Sequence, residues 1–562
     1  MNIVGLWDGH NASAAVVCNG TLRSAISEER ISRSKFQRGF PLSALDIALE
    51  AAGLTLDDVD LVACCGRYGR APMRLFDRRY SVQSRSKGPT HIQQRFFRHY
   101  ENLVSFVPGF RRVEEKVGFN ALRRRLEAAG IKSGIPLHIC PHHTGHAFGA
   151  ASMARNEALV VTMDGYGDGL WATVSHWGGD EPRLLKRRRY MDSIAVTYGS
   201  VCQLLGFREG DEGKVTALAA HGDPVPLYSF FHRRLNDSPL VRGGPLLPYE
   251  LAKLRKYKPV DIAAALQSTV EDWIIEFLTP YTQDAPDAEI CVSGGLFANV
   301  KVNSRLAQHF NPRPIRVFPA MDDTGLSVGA ALHAWYARTG LISQFKDPFL
   351  GPSLYLSPSV LNEATGFNIL SQDDKSNIEA SVKVLAKDGT VAIVRGRDEF
   401  GPRALGHRSL LFSARSNLLA NRVQKLLGRD SVMPFAPICR AEQVDSLFEG
   451  PFPIPERADR GLTHMTFAVT ARPETRDRYP VAVHVDDSSR VQAVTAEKSP
   501  FLHTLLTRYE ELTGDKMLIN TSFNLHGDPI VHDARDALQT FAQSGIDLLV
   551  LGDYLVTRDI VQ

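Results

Sequence analysis

Two stretches of this chain share one local grammar, and that repetition limits the folds open to it. Residues 2–17 read as an apolar strand, NIVGLW, a polar turn, Asp8-Gly9-His10-Asn11-Ala12-Ser13, and a second strand, Ala14-Ala15-Val16-Val17. Residues 159–177 repeat it as LVVTM, Asp164-Gly165-Tyr166-Gly167-Asp168-Gly169 and LWATVSHW. One Asp-Gly turn between strands carries little weight, because such hairpins are common. Two of them, opening successive segments, predict an internal duplication of an α/β unit. The chain has 562 residues, too many for one ordinary domain, so two or three are expected. With 44% hydrophobic and 23% charged residues the composition is that of a globular protein. A net charge of +3 argues neither for nor against a polyanionic partner.

Between the two repeats lies His138-Ile139-Cys140-Pro141-His142-His143-Thr144-Gly145-His146-Ala147. If Pro141 or His142 opens a helix, His142 and His146 fall on one face a turn apart. Two imidazoles so placed can share a metal, and a carboxylate at the end of a buried strand can complete the site. Asp164 ends such an apolar run, and a second acidic loop follows at Asp322-Asp323. The plainer alternative is a helix start whose histidines pack or hydrogen-bond; the neighbouring acids favour the metal. In Ile290-Cys291-Val292-Ser293-Gly294-Gly295-Leu296-Phe297-Ala298-Asn299 a buried strand ends in Gly294-Gly295 and a helix carrying Asn299 and Asn303 follows. A helix start entered through glycines is a natural nucleotide site. Glu212-Gly213-Lys214 reads as a loop running into a short helix, with Lys214 either reaching a phosphate or snorkelling.

Thirteen arginines fall between Arg67 and Arg125, with Tyr80, Phe96, Phe97 and Tyr100 among them. A basic, aromatic surface for an acceptor or nucleic acid is one reading. Solvated amphipathic helices are the other, favoured over RNA binding because Glu114, Glu115 and Glu127 interleave; a lid over the acceptor site fits either. The texture turns polar near 350–375, which places a domain boundary there, with domains expected at 1–360 and 375–562. A second α/β unit opens at Val391 and leads into Gly396-Arg397-Asp398-Glu399-Phe400-Gly401-Pro402-Arg403-Ala404-Leu405-Gly406-His407-Arg408-Ser409. Arginines in a glycine-punctuated loop suit forked recognition of an anion. Ser488-Ser489-Arg490 and Ile519-Asn520-Thr521-Ser522-Phe523-Asn524 add further polar donors.

The order of the first-half motifs resembles the actin, Hsp70 and sugar-kinase superfamily, whose two ribonuclease-H-like halves enclose a nucleotide. Across the chain, HHTGHA, the Asp164 turn, EGKVTALAAHG, SGGLFAN, DDTGLSVGAA, GPRALGHRS and NTSFNLHGDPIV resemble the O-carbamoyltransferase family, almost end to end. That family includes nodulation-factor and antibiotic-modifying enzymes. The resemblance implies an N-terminal metal- and nucleotide-binding domain and a C-terminal YrdC-like domain. The second makes carbamoyl-adenylate from ATP and carbamoyl phosphate, with Mg2+ accompanying the ATP, and the first passes the carbamoyl group to a hydroxyl of a small natural-product or sugar-like acceptor. The metal ligands would be His142, His146, Asp164 and Asp323, with iron the expected ion and zinc the alternative. His10 and Lys35 would lie at the transfer site. Arg403, Arg490, Asn520 and Ser522 would bind carbamoyl phosphate or nucleotide, and Arg408 and Arg429 belong to the same anion-binding set. Gly294, Gly295, Asn299 and Lys214 would contact nucleotide in the first domain.

One segment departs from the family. Its pattern Lys-x-Arg-x-x-x-Arg-Pro-Phe-Ala-Pro falls on Leu427 to Pro437, so Arg429 is kept while Leu427 and Met433 stand where cations are usual. A tRNA threonylcarbamoyl transferase would share the first half but lacks the GPRALG domain. A degenerate nucleotide-binding scaffold is the non-enzyme alternative, resting on Leu427 and Met433 alone. No apolar run approaches the roughly 18 residues of a spanning helix. The first residues lack a basic n-region, and seven scattered cysteines form no CxxC, so a cytoplasmic protein without a sulfur metal site is expected. Neither membrane nor nucleic acid is expected as a partner, and a homodimer is compatible with the sequence.

Overall fold

A computed structural model describes residues 1–67, 74–75, 100, 104, 107–178, 181–208, 210–236, 243–357, 360, 366–371, 373–428, 433–450 and 461–558. The first sheet comprises β1 (Asn2–Trp7), β2 (Ser13–Cys18), β3 (Thr21–Ser27), β4 (Leu61–Cys65) and β5 (Leu137–Cys140), in the order β3-β2-β1-β4-β5. The second comprises β6 (Ala158–Gly167), β7 (Leu170–Trp177), β8 (Arg183–Arg189), β9 (Glu289–Ser293) and β10 (Ile315–Val317), in the order β8-β7-β6-β9-β10. The two orders are the same with every index raised by five: an antiparallel meander, then two strands added in parallel beside its first. The duplication expected from the two Asp-Gly turns is therefore present in the topology.

Two helices rich in small residues lie between the sheets, His142–Ala151 and Leu326–Thr339. Their glycines are used for contact. A Cβ on Gly329 would stand 1.9 Å from the Gly145 carbonyl oxygen, and one on Gly5 would stand 2.0 Å from that of Ser327. Larger side chains would push the helices apart and with them the polar residues at their N-terminal ends.

The third sheet has eight strands. They are β11 (Phe367–Ser371), β12 (Thr390–Val394), β13 (Arg408–Ser413), β14 (Ala436–Arg440), β18 (Gln492–Val494), β19 (Met517–Ser522), β20 (Leu548–Leu551) and β21 (Tyr554–Arg558), ordered β11-β21-β20-β12-β13-β19-β14-β18. A small sheet of β15 (Phe448–Glu449), β16 (Val469–Ala471) and β17 (Ser488–Ser489) adjoins it. The chain is thus an α/β protein throughout.

Buried charge ties the third sheet's loops to the first sheet. Arg30, in the helix Glu28–Ser32 after β3, pairs with Asp398 at 3.0 Å, both side chains almost fully buried, and donates to the carbonyls of Glu399 and Gly401. Arg33 donates to the carbonyls of Pro529 and Ile530. The arginine-rich segment also contributes inward. Arg74 is buried against Asp8 at 2.7 Å and donates to the Gly118 carbonyl, so at this position the expectation of a solvated face is corrected. Residues 68–73, 76–99, 101–103 and 105–106 of that segment lie outside the described residues. Among the described residues no helix is long and apolar enough to cross a membrane.

Candidate metal and transfer site

The helix His142–Ala151 opens at Pro141 as the spacing requires, and His142 and His146 lie on one face with ring centroids 5.0 Å apart. Asp168 anchors its first turn: one carboxylate accepts the backbone N–H of His142 at 2.7 Å and that of Arg67 at 2.9 Å. Asp164 arrives from β6, whose register with β7 breaks between Met163 and Gly167. Such a bulge re-aims a side chain locally. The strand runs on to Gly167, so the turn expected from Asp164 is confined to Asp168-Gly169, both at positive φ. Gly167 is obligatory for another reason, since a Cβ there would lie 2.1 Å from the His142 ring. The fourth residue, Asp323, starts the turn before the helix Leu326–Thr339. Its neighbour Asp322 is spent on structure, accepting from the Thr324 N–H and from the Asn11 amide.

One ligand atom from each of His142, His146, Asp164 and Asp323 lies within 4.8 Å of the others. His142 Nε2 is 3.4 Å from Asp164 and 3.6 Å from Asp323, and His146 Nε2 is 3.5 Å from Asp323. These contacts are long for hydrogen bonds but suit donors each about 2.1 Å from a shared ion, which stand roughly 3–3.5 Å apart. Both ring nitrogens of His142 and Nε2 of His146 are buried without a hydrogen bond among the described residues. Buried polar atoms in that state call for an ion or similar partner. Ser293 Oγ donates to the Met321 carbonyl, which leaves it to accept from His146 Nδ1 at 3.2 Å. That tautomer directs the Nε2 lone pair at the cluster. Burial holds His146 below the usual imidazole range. Burial alone would raise Asp164, but His142, His146 and the Gly295 N–H together hold it below the carboxylate range. Both are therefore in their ligating forms at neutral pH, and the residues fit a divalent cation.

Trp7 packs edge-on against His142 at 5.3 Å and donates its indole N–H to the His10 carbonyl at 2.5 Å. His10 is thereby tied to the cluster. Burial, then Arg38, pull its imidazole down to about 3, so it is neutral at ordinary pH. Lys35 is exposed, with its ammonium 5.4 Å above the Phe36 ring.

The nucleotide residues expected in the first half divide. Gly295 holds Asp164 through its N–H at 2.9 Å, and Gly294, at φ +112°, brings the chain against Met163, whose carbonyl oxygen a Cβ would meet at 2.1 Å. Asn299 is corrected: it is not inside the helix but caps Val300–His309, accepting from Lys301 and Val302, while its amide donates to Gln267. Lys214 sits in a helix where a loop was expected. The helix already begins at Glu212, and the ammonium pairs with Asp211 at 3.1 Å, lying 5.7 Å over Phe207.

In the second half, Arg403 crosses to donate to the Ala298 carbonyl at 3.2 Å, in the turn that Gly295 opens. Its Nε has no hydrogen bond among the described residues. Arg408 is buried and donates to the carbonyls of Arg395, Gly396, His407 and His532, clasping the backbone around it. The Asn520 amide N–H2 holds Ala404 and Gln492, while its Oδ1 is buried without a partner among the described residues. Ser522 is half-buried at the end of β19 opposite Ser409, and Arg490 is half-buried after β17. Arg429 lies outside the described residues. Leu427 is buried at the end of the helix Asn417–Leu427, and Met433 faces the first half, its methyl 3.6 Å from where a Gly213 Cβ would stand. Asp168, Ser293 and Trp7 escaped sequence reasoning; only Asp168, in its Gly-Asp-Gly turn, left a visible signal.

Residues 2–229 and 248–332 match the sequence profile described as Carbamoyltransferase N-terminus, and 382–558 match Carbamoyltransferase C-terminus. The chain belongs to the carbamoyltransferase family. Among its relatives, the 3'-hydroxymethylcephem-O-carbamoyltransferase of Streptomyces clavuligerus is 30% identical over 579 residues, covering 98% of this chain and 98% of the relative. Nodulation protein NolNO of Sinorhizobium fredii is 28% identical over 567 residues, covering 98% of this chain and 79% of that protein. Nodulation protein NolO of Bradyrhizobium diazoefficiens is 31% identical over 437 residues, covering 74% of this chain and 78% of that protein. In this carbamoyltransferase the best-formed constellation is the His142, His146, Asp164 and Asp323 cluster at the junction of the two matched regions.

Proposed function

We propose that the chain is an ATP-dependent O-carbamoyltransferase, which makes carbamoyl-adenylate from ATP and carbamoyl phosphate and passes the carbamoyl group to a hydroxyl of a small acceptor. The observation that carries this reading is the meeting, at one turn, of the two halves of the chemistry. Gly295 holds Asp164 of the ligand cluster, and Ala298 receives Arg403 from the GPRALG loop. The first half would be a duplicated ribonuclease-H-like domain and the second, from about residue 375, a YrdC-like one. Iron or zinc held by His142, His146, Asp164 and Asp323 would supply Lewis-acid stabilisation of phosphate charge.

The chain's own residues then divide the remaining work. Arg403, a guanidinium with an uncommitted Nε at the junction, binds anionic oxygen of the adenylate and orients it. Lys35, exposed beside the Phe36 ring, adds a positive charge on a flexible stem. In the transfer step the acceptor oxygen bonds to the carbamoyl carbon, the bond from that carbon to the phosphate oxygen breaks, and AMP leaves. His10, held neutral, accepts a hydrogen bond from the hydroxyl and orients it, and the proton passes to a phosphate oxygen of the departing AMP. The Arg30–Asp398 pair ties the GPRALG loop to the first half and the Arg408 clasp fixes the loop's own backbone, so that Arg403 meets the site in a fixed position. The scaffold alternative rests on Leu427 and Met433. Leu427 is buried in the core and Met433 lies beside Gly213 in the helix Glu212–Ala219, so each side chain has a packing role of its own. The test is to incubate protein, ATP and carbamoyl phosphate with a panel of hydroxylated metabolites, including a 3'-hydroxymethylcephem, and look for the mass of one added carbamoyl group. Gain that needs ATP supports the reading; gain without ATP refutes it.

A further inference from the structure

Phe36 is the one aromatic residue among the described residues with a left-handed backbone, at φ +59°. A bulky side chain there is a true outlier, costly unless the surroundings impose it. Three contacts impose it. The Glu29 carboxylate accepts the Phe36 N–H at 2.7 Å, which fixes the backbone. The ring stacks on the His10 imidazole, centroids 5.3 Å apart and planes 20° from parallel. On another side Gly210, at φ +93°, lies so close that a Cβ would meet the Phe36 ring at 2.7 Å. Strain retained at a ring that covers a polar side chain beside a ligand cluster indicates that the stack itself is what the local fold secures.

We propose that Phe36 is a positioning residue for His10: its ring, seated by Glu29 and Gly210, sets the plane of the imidazole that faces the acceptor. The Trp7 indole fixes the His10 backbone and Phe36 fixes the ring, so His10 is held from both ends. The catalytic weight of this arrangement rests on the transfer reading above, but the positioning itself is measurable on the resting protein. Histidine-labelled wild type, Phe36→Ala, Phe36→Gly and Phe36→Tyr are compared by NMR without substrate, with the His10 signal assigned by its loss in His10→Asn. A stacked ring shifts the imidazole protons upfield. That shift is expected in wild type and Phe36→Tyr, and is expected to vanish in Phe36→Ala and Phe36→Gly. Glycine tolerates positive φ, so Phe36→Gly is expected to melt no lower than Phe36→Ala while losing the shift, which separates ring positioning from folding. An unchanged His10 signal in Phe36→Gly, or a tyrosine variant that fails to keep the shift, overturns the proposal. Neither outcome depends on ATP or carbamoyl phosphate, so failure here is distinct from failure of the transfer reading.

Discussion

At the scale of single residues, ligand atoms of four side chains converge within 4.8 Å of one another. His142 and His146 present ring nitrogens to Asp164 and Asp323 at 3.4–3.6 Å, and Ser293 fixes the tautomer of His146. Purified protein should carry close to one divalent ion per chain by elemental analysis, and His146→Ala should lose it. Ser293→Ala should keep the ligands but weaken binding about 10–100-fold, as loss of an outer hydrogen bond commonly does. Equal metal content in all three proteins would remove the site. His143, beside the cluster, titrates in a direction that can be tested. Burial, then His142 and His146, bring it down to about 3. Between pH 6.5 and that value the unfolded chain binds a proton that the folded chain refuses. Stability therefore falls as pH drops through this window, by about 1.4 kcal/mol per unit for this histidine alone. Urea midpoints at pH 7 and pH 5 measure it, and His143→Gln should flatten the difference. A midpoint that rises on acidification would contradict the assignment.

At the scale of elements the structure shows what the sequence carried and where it could not reach. The duplicated strand–turn–strand grammar became two sheets of one order, because apolar alternation and Asp-Gly turns are local signals. The HxxxH pair needed only helical spacing, and Asp164 only a strand end. Asn299 and Arg408 take structural partners that the sequence does not announce, for a shared reason. An amide before a helix can cap it, and an arginine after a strand can clasp carbonyls, and only the packing decides between those uses and ligand binding. Leu427 carries the consequence furthest. At 4% exposure in the core, Leu427→Lys would bury a charge and is expected to destabilise rather than improve donor binding. Arg30–Asp398 was invisible for a different reason, since its partners are 368 residues apart. Arg30→Ala removes the direct ion pair of a buried Asp398, leaving it His532 and the Arg408 charge, and should cost about 3–5 kcal/mol in chemical denaturation. A loss below 1 kcal/mol would show that the pair does not hold the loop.

For the whole molecule the claim is that one chain couples two reactions across a shared turn. Arg403 belongs to the second matched region yet ends at Ala298 of the first, so this side chain bridges the two regions. Arg403→Ala should remove most adenylate formation while leaving metal content unchanged, and a variant that lost both would point to collapse of the junction instead. Family membership gives the carbamoyl group; the need for ATP is the step the account adds. It is tested most directly by pyrophosphate release from ATP, measured with and without carbamoyl phosphate. The account predicts release that requires both compounds and falls at least tenfold in Arg403→Ala. Pyrophosphate release indifferent to carbamoyl phosphate, or none from a metal-loaded, folded protein, would contradict it.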